Sequence, residues 1–299
     1  MFGGFFMYYA LLAFAAVLIS GVFAVNKEYQ KMFGTASETG LAFHSVLGLF
    51  TAMIFFCLCG FKVSFTPFSF ALSAAMNILV VAYSLIGFKL LKSGTMALYT
   101  VFLMSGGMIL PYIYGLIFLD EPLKVLRIIG LFVILSGVII SNYGKAKTGK
   151  KEILMCIAVF ILNGFVSIIN KTHQVETVFE TVGTKEFVFI GGAFRFVLCG
   201  VLFLLLSQKN KKSHQSGEKK ANLAKAGLLI ALAAALDGAS FLLQLISAQN
   251  LPATVMFPVF SGGTIIVSTI AGVLFFKEQL SKKAVASVIL CFVGTFMFL

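Results

Sequence analysis

Two stretches of this chain read alike, and both read as membrane. Residues 97–141 open ALYTVFLMSGG and run on to LDEPLKVLRIIGLFVILSGVII. Residues 253–299 open ATVMFPVFSGG and run on to FKEQLSKKAVASVILCFVGTFMF. Each copy carries a Ser-Gly-Gly in mid-span (Ser105-Gly106-Gly107, Ser261-Gly262-Gly263) and then a Glu (Glu121, Glu278). Sixteen residues past that Glu, a Gly falls inside the next apolar run (Gly137, Gly294). The two spacings agree to within a one-residue slip. A duplicated, strongly apolar half is a sequence mark of carriers built from structural repeats, and it constrains the fold more than any single residue does.

Composition excludes a water-soluble domain. The chain is 60% hydrophobic and 11% charged, with a mean hydropathy of +1.02, whereas soluble chains carry roughly 25% charged residues. A spanning helix needs about 20 mostly apolar residues. The apolar runs predict ten spans, over 7–25, 40–59, 66–88, 94–118, 125–143, 152–169, 186–206, 224–247, 252–276 and 283–299. Continuous runs such as IIGLFVILSGVII are unlike the weak alternation of a β-barrel. The fold class expected is therefore all-α integral membrane. The first run lacks a positive n-region and reads as a span rather than a signal peptide. The longest polar stretch, Gln208 to Lys220, reads as a solvated lysine-rich loop. Cys57, Cys59, Cys156, Cys199 and Cys291 all fall in apolar runs, which suits small buried hydrophobes better than disulfides or zinc ligands.

The repeat reaches beyond its best-matching part. Asn26-Lys27-x-Tyr29-Gln30 at the end of the first span answers Asn170-Lys171-x-His173-Gln174 at the end of the sixth. Phe43-His44-Ser45-Val46-Leu47 in the second span answers Phe194-Arg195-Phe196-Val197-Leu198 in the seventh. Spans 1–5 thus repeat as spans 6–10, giving units at 1–143 and 152–299. Five is odd, so the second unit enters the membrane from the opposite face, making two inverted five-helix repeats with a substrate site expected near the midplane. The net charge of +12 belongs to loops, not to a basic face, so nucleic acid is not an expected partner. Loops 1/2, 3/4, 5/6, 7/8 and 9/10 hold 17 Lys, and the loops on the other side hold 5 Lys plus Arg. The positive-inside rule then puts the first set in the cytoplasm and both termini outside.

Intramembrane polar residues are the candidates for function. Asp237 lies mid-way along the eighth span, where a charge costs about 2.5–3.5 kcal/mol on insertion scales and needs a partner. Arg195, well inside the seventh span, is the natural one. The pair reads either as a contact for a polar substrate or a coupling proton, or as a structural tie between helices. Asn77, Asn163 and Gln244 lie within the third, sixth and eighth spans and read as helix glue or as ligand contacts. Tyr83 and Tyr99 suit a cavity for amphipathic solutes but also suit an interfacial belt. Asn26, Asn170 and Lys171 close the first and sixth spans, as cavity-mouth residues or as interfacial anchors. The Ser-Gly-Gly patches read as close-packing seams that can also line a cavity. Glu121 and Glu278 sit at the membrane edge, where a helix-linking or capping role is expected. His44, His173 and His214 are scattered and no nucleophile–base pair is visible, so a lipid-modifying enzyme is the weaker reading. No P-loop is present, so energy comes from a gradient, of protons or another ion, or from the substrate itself. No cofactor is expected, and the chain is a monomer or homodimer.

With these marks, the chain resembles the drug/metabolite transporter superfamily, in its EamA-like ten-span branch. The marks are the small-residue patches of spans four and nine, the Glu closing each, the Gly-containing spans five and ten, and the Arg-Phe pair of span seven. The resemblance implies a secondary transporter of small organic metabolites, with amino acids or related compounds as first guess and export favoured. It also implies both termini in the cytoplasm, opposite to the lysine count. An organic-cation or drug exporter, in which Asp237 alone meets the charge, is the alternative. The compact loops suggest a bacterial cytoplasmic membrane.

Overall fold

A computed structural model describes residues 2–34, 36–92, 96–142, 149–210, 223–276 and 281–298. Those residues form ten α-helices: α1 (Phe2–Phe33), α2 (Ser37–Leu58), α3 (Pro67–Lys92), α4 (Met96–Phe118), α5 (Val125–Asn142), α6 (Lys150–Val175), α7 (Thr184–Asn210), α8 (Leu223–Asn250), α9 (Ala253–Phe276) and α10 (Lys282–Phe296). Each covers one predicted span, and α1 and α6 run further than predicted at their C-terminal ends. Eight of them are long and apolar enough to cross a membrane; α5, over Val125–Ile140, is a shorter apolar helix and α10 has 15 residues. The outer surface is studded with exposed Phe14, Met53, Ile78, Phe132, Leu204 and Leu228. Such a surface suits lipid, where backbone groups must be satisfied within each segment, as they are in helices.

Local chemistry sets the helix ends. At the end of α2, Gly60 adopts φ +64° and its N–H bonds the Cys57 carbonyl, while the Phe61 N–H reaches the Phe56 carbonyl. That is a Schellman stop, completed by the edge-on contact of the Phe56 and Phe61 rings at 5.3 Å. Pro67 opens α3, where its missing N–H costs nothing. Ser281 caps α10 by accepting from the Ala284 N–H at 3.1 Å.

Helix packing follows a pattern. α2 packs on α7, α5 on α10 and α4 on α9; α1 packs on α8 as α6 does on α3; α4 on α6 as α9 does on α1; and α2 on α8 as α7 does on α3. Exchanging each helix for the one five places away leaves these pairs unchanged, whereas α6 on α8, α7 on α8 and α5 on α9 have no comparable counterpart. Two of the seams are backbone against backbone. A Cβ at Gly48 of α2 would stand 2.6 Å from the Phe196 nitrogen and 2.7 Å from the Gly192 oxygen of α7, and one at Gly192 would stand 2.8 Å from the Ala52 nitrogen. The Ser45 hydroxyl donates to the Phe196 carbonyl across the same seam at 3.0 Å. Between α5 and α10, Cβ atoms at Gly130 and Gly294 would meet each other's carbonyls at 3.0 and 2.9 Å, and one at Gly137 would meet the Ser287 carbonyl at 3.0 Å. The Ser-Gly-Gly patches serve the same purpose: Gly106 lies against the Phe160 backbone of α6, and Gly262 against Thr295 of α10. Small residues let helices approach closely in lipid, where dispersion and hydrogen bonds replace the hydrophobic drive.

Candidate functional site

Near the middle of α7 and α8, Arg195 Nη1 donates to Asp237 Oδ2 at 2.7 Å, with both side chains about a fifth exposed (20% and 21%). The Gly48–Gly192 seam holds α7 against α2 one turn away, and α8 packs on α2 and α7, so the helices that carry the charges are fixed relative to each other. A cavity of about 10 Å³ adjoins the pair, lined among others by Thr51, Met76, Gly191, Arg195, Asp237 and Phe241. Arg195 Nε and Thr51 Oγ1 at this cavity are buried without a hydrogen-bond partner, as are Ser73 Oγ and Asn77 Oδ1 next to Gly191. Each such atom costs about 1–3 kcal/mol if left unsatisfied. Four of them lie at or close to one ion pair.

A second cavity of the same size lies on the other side of Arg195, lined by Leu41, His44, Val80, Val81, Ser84, Arg195 and Cys199. Tyr83 is within electrostatic reach of both Arg195 and Asp237, and Tyr99 of Tyr83. The Tyr99 ring lies over Gly87. Of the residues singled out from sequence, Arg195 and Asp237 therefore meet, with Asn77 beside Gly191 at the same cavity and Tyr83 within electrostatic reach of the pair.

The others lie elsewhere. Asn163 Nδ2 donates to the Leu103 carbonyl at 2.8 Å, tying α6 to α4. Gln244 is spent on Ser240 of its own helix. Asn26 accepts from Gln30 one turn on. Asn170 is placed near the end of α6, its Oδ1 buried and unpartnered. Lys171 is 4% exposed, and its ammonium donates to the Ala248 carbonyl at 2.6 Å and the Leu251 carbonyl at 2.8 Å. It closes the C-terminus of α8, the end of a helix that favours a cation. Sequence placed Lys171 at the membrane boundary because an Asn-Lys pair ended the apolar run, but α6 continues to Val175 and carries it inside.

Beside Lys171, Glu121 does the complementary task for α9. Its Oε1 accepts from the Ala253 N–H at 2.6 Å and its Oε2 from the Thr254 N–H at 2.8 Å. A carboxylate at a helix N-terminus satisfies orphan donors and meets the dipole with the right sign. Gly115 leaves room for it, since a Cβ there would stand 2.7 Å from Oε2. Glu121→Ala is expected to cost about 1–2 kcal/mol of unfolding stability, read by denaturant unfolding in detergent. An unchanged midpoint would show that the cap is not formed. Glu278, the repeat counterpart, and Lys277 lie outside the described residues.

These ties belong to one end of the bundle, and more close it. Glu186 accepts from the Ser64 N–H at 3.0 Å and hydroxyl at 2.8 Å. Ser69 Oγ pairs with His173 Nε2 at 2.9 Å and accepts from the Val182 N–H at 3.0 Å, while the His173 ring stacks on Phe187. The Glu121, Glu186 and Ser69 bonds join the first half of the chain to the second, while Lys171 ties α6 to the end of α8 within the second. Thr51, Ser73 and His44 were not among the sequence candidates. A buried hydroxyl in an apolar run looks like packing, and His44 was visible only as the repeat counterpart of Arg195.

An apolar ten-helix bundle with an ion pair at its centre defines an integral membrane protein. The profile of the EamA-like transporter family matches residues 150–299, half of the chain. The chain belongs to that family, part of the drug/metabolite transporter superfamily, and is a membrane transporter of small solutes. One solved crystal structure is similar over 97% of this chain and 95% of its own, with a TM-score of 0.73 at 13% identity, a likeness of fold. No curated protein matches the chain.

Proposed function

We propose that the chain is a secondary transporter that moves a small zwitterionic metabolite, an amino acid or related compound, outward by alternating access. The observation that carries this is the Arg195–Asp237 pair with open polar atoms around it. A zwitterion replaces the pair without leaving either charge alone: its carboxylate takes the guanidinium, whose Nε is uncommitted, and its ammonium takes Asp237. A ligand with one charge would strand the other partner, which is expensive away from water. Asn77, Thr51 and Ser73 are placed to meet the remaining polar groups. Alternating access is supported by a packing set that survives exchange of the halves 1–143 and 152–299, as inverted repeats rocking about a central site require.

The test is thermal unfolding of the purified protein against amino acids, nucleosides, sugars and organic cations. An amino acid at 100 times its Kd is expected to add about 2.7 kcal/mol, and Arg195→Ala is expected to abolish that shift. Stabilisation by an organic cation that survives Arg195→Ala would overturn the zwitterion reading in favour of a cation exporter relying on Asp237. Orientation is read separately with an alkaline phosphatase fused to the C-terminus. The lysine distribution predicts activity, from a terminus outside, and a silent fusion would place it in the cytoplasm.

A further inference from the structure

Three cavities lie in series along α2, and each shares a wall with the next. The first, of about 40 Å³, is lined by Asn26, Tyr29, Gln30, Thr39, Phe43 and His44, and also by the exposed loop residues Gly34 and Ala36. The second, of about 10 Å³, is bordered by His44 and Arg195 together with Ser84, Cys199 and the apolar Leu41, Val80 and Val81. The third, also about 10 Å³, runs from Arg195 to Asp237 and Thr51. A water needs about 10–15 Å³ by this measure together with polar partners. The first cavity thus has room for about three or four waters and the others for about one each. His44 is the shared wall of the first pair and Arg195 of the second. His44 lies about 10 Å into α2, at 1.5 Å of rise per residue.

We propose that water reaches the Arg195–Asp237 pair by way of these cavities from the α1–α2 loop, with His44 as the positioning residue at the neck. The proposal rests on reading that pair as the site, and it gives the site an entry. The opposite end is held shut by the Lys171, Glu121, Glu186 and Ser69–His173 ties, whereas this end shows the three adjoining cavities, with His44, Ser84 and Arg195 as the polar groups of a mostly apolar middle one. The His44 side chain borders both chambers, and an imidazole has two ring nitrogens with which to pass hydrogen bonds on while its ring blocks larger solutes. The titratable and charged groups around it are Tyr29 of α1 in the first cavity, Arg195 and Cys199 of α7 in the second, and Asp237 of α8 within electrostatic reach.

The protein contains its own reporters. Radiolysis turns held water into hydroxyl radicals that oxidise adjacent side chains, so the probe is water itself. Cys199 (1% exposed) and Met76 (3%) line the second and third cavities, while Cys156, Cys291, Met108 and Met256 are equally buried and line none of the three. In lipid nanodiscs, with oxidation read by mass spectrometry, Cys199 is expected to react several-fold faster than Cys156 and Cys291, and Met76 than Met108 and Met256. His44→Leu should bring Cys199 and Met76 down to the rates of those controls, and His44→Gln, which keeps a polar neck, should not. The proposal is overturned if Cys199 and Met76 are no faster than the controls, or if the two His44 variants behave alike. Should His44→Leu fail to fold, the wild-type ratios and His44→Gln still decide. Failure of the metabolite reading would appear in the ligand panel and leave these ratios untouched.

Discussion

Asp237→Asn is expected to lower unfolding stability by about 3 kcal/mol or more, because it leaves the Arg195 guanidinium charged in the bundle interior without its anion. The pair is about four-fifths covered and joined at 2.7 Å, so the loss falls in the range for breaking a buried pair rather than a surface one. Arg195→Gln combined with Asp237→Asn should recover most of that stability, since two amides can hydrogen-bond with no charge stranded. Both the single and the double variant should lose all stabilisation by amino acids. The combination separates roles: recovered stability with lost binding is the signature of a ligand site, and recovered stability with retained binding would reduce the pair to a helix tie. Denaturant unfolding in detergent, with and without ligand, supplies both readings.

Gly48→Ala is the second large effect. The added Cβ would lie 2.6 Å from the Phe196 nitrogen and 2.7 Å from the Gly192 oxygen. Both are backbone atoms, so no side chain can swing away and the whole α2–α7 seam has to open. Overpacking of a closed interior costs about 1–3 kcal/mol and occasionally more, and here it also weakens the Ser45 bond to Phe196. The expected result is a sharp fall in the yield of monodisperse protein and a lowered melting temperature. Gly227→Ala is the matched control: it is also helical, and a Cβ there meets nothing within 4 Å. It should be neutral or slightly stabilising, since Ala is the better helix former. Equal effects at the two positions would refute the seam.

Much of the bundle was legible because lipid imposes one rule per segment: twenty apolar residues and a polar break. The ten helices, the Ser-Gly-Gly seams and the capping by Glu121 all follow from patterns along the chain. The pairing of Arg195 with Asp237 was legible too, because two isolated charges in apolar runs have few other places to go. Thr51 and Ser73 were not. Their importance lies in lacking a partner, and that is a property of three-dimensional surroundings. Lys171 misled for a related reason. A lysine at the edge of an apolar run ordinarily snorkels to the interface, and only the fold shows that the carbonyls at the end of α8 have drawn it inward. The three amides Asn163, Gln244 and Asn77 look alike in sequence and differ in use: one ties helices, one serves its own helix and one keeps an oxygen open beside the charges.

The glycine seams bear on how the chain is made. α2 and α5 carry their glycine faces early in translation, yet the faces that complete them, on α7 and α10, are made later. Until the ribosome delivers those helices, the bare ridges of Gly48 and of Gly130 and Gly137 have only lipid or insertase to lie against. Assembly therefore has a built-in waiting period. The α2–α7 seam can close once the seventh helix is inserted, while the α5–α10 seam waits for the tenth. Truncation before α10 should thus leave a particle whose second seam stays open, exposed to membrane proteases that survey unfinished helices.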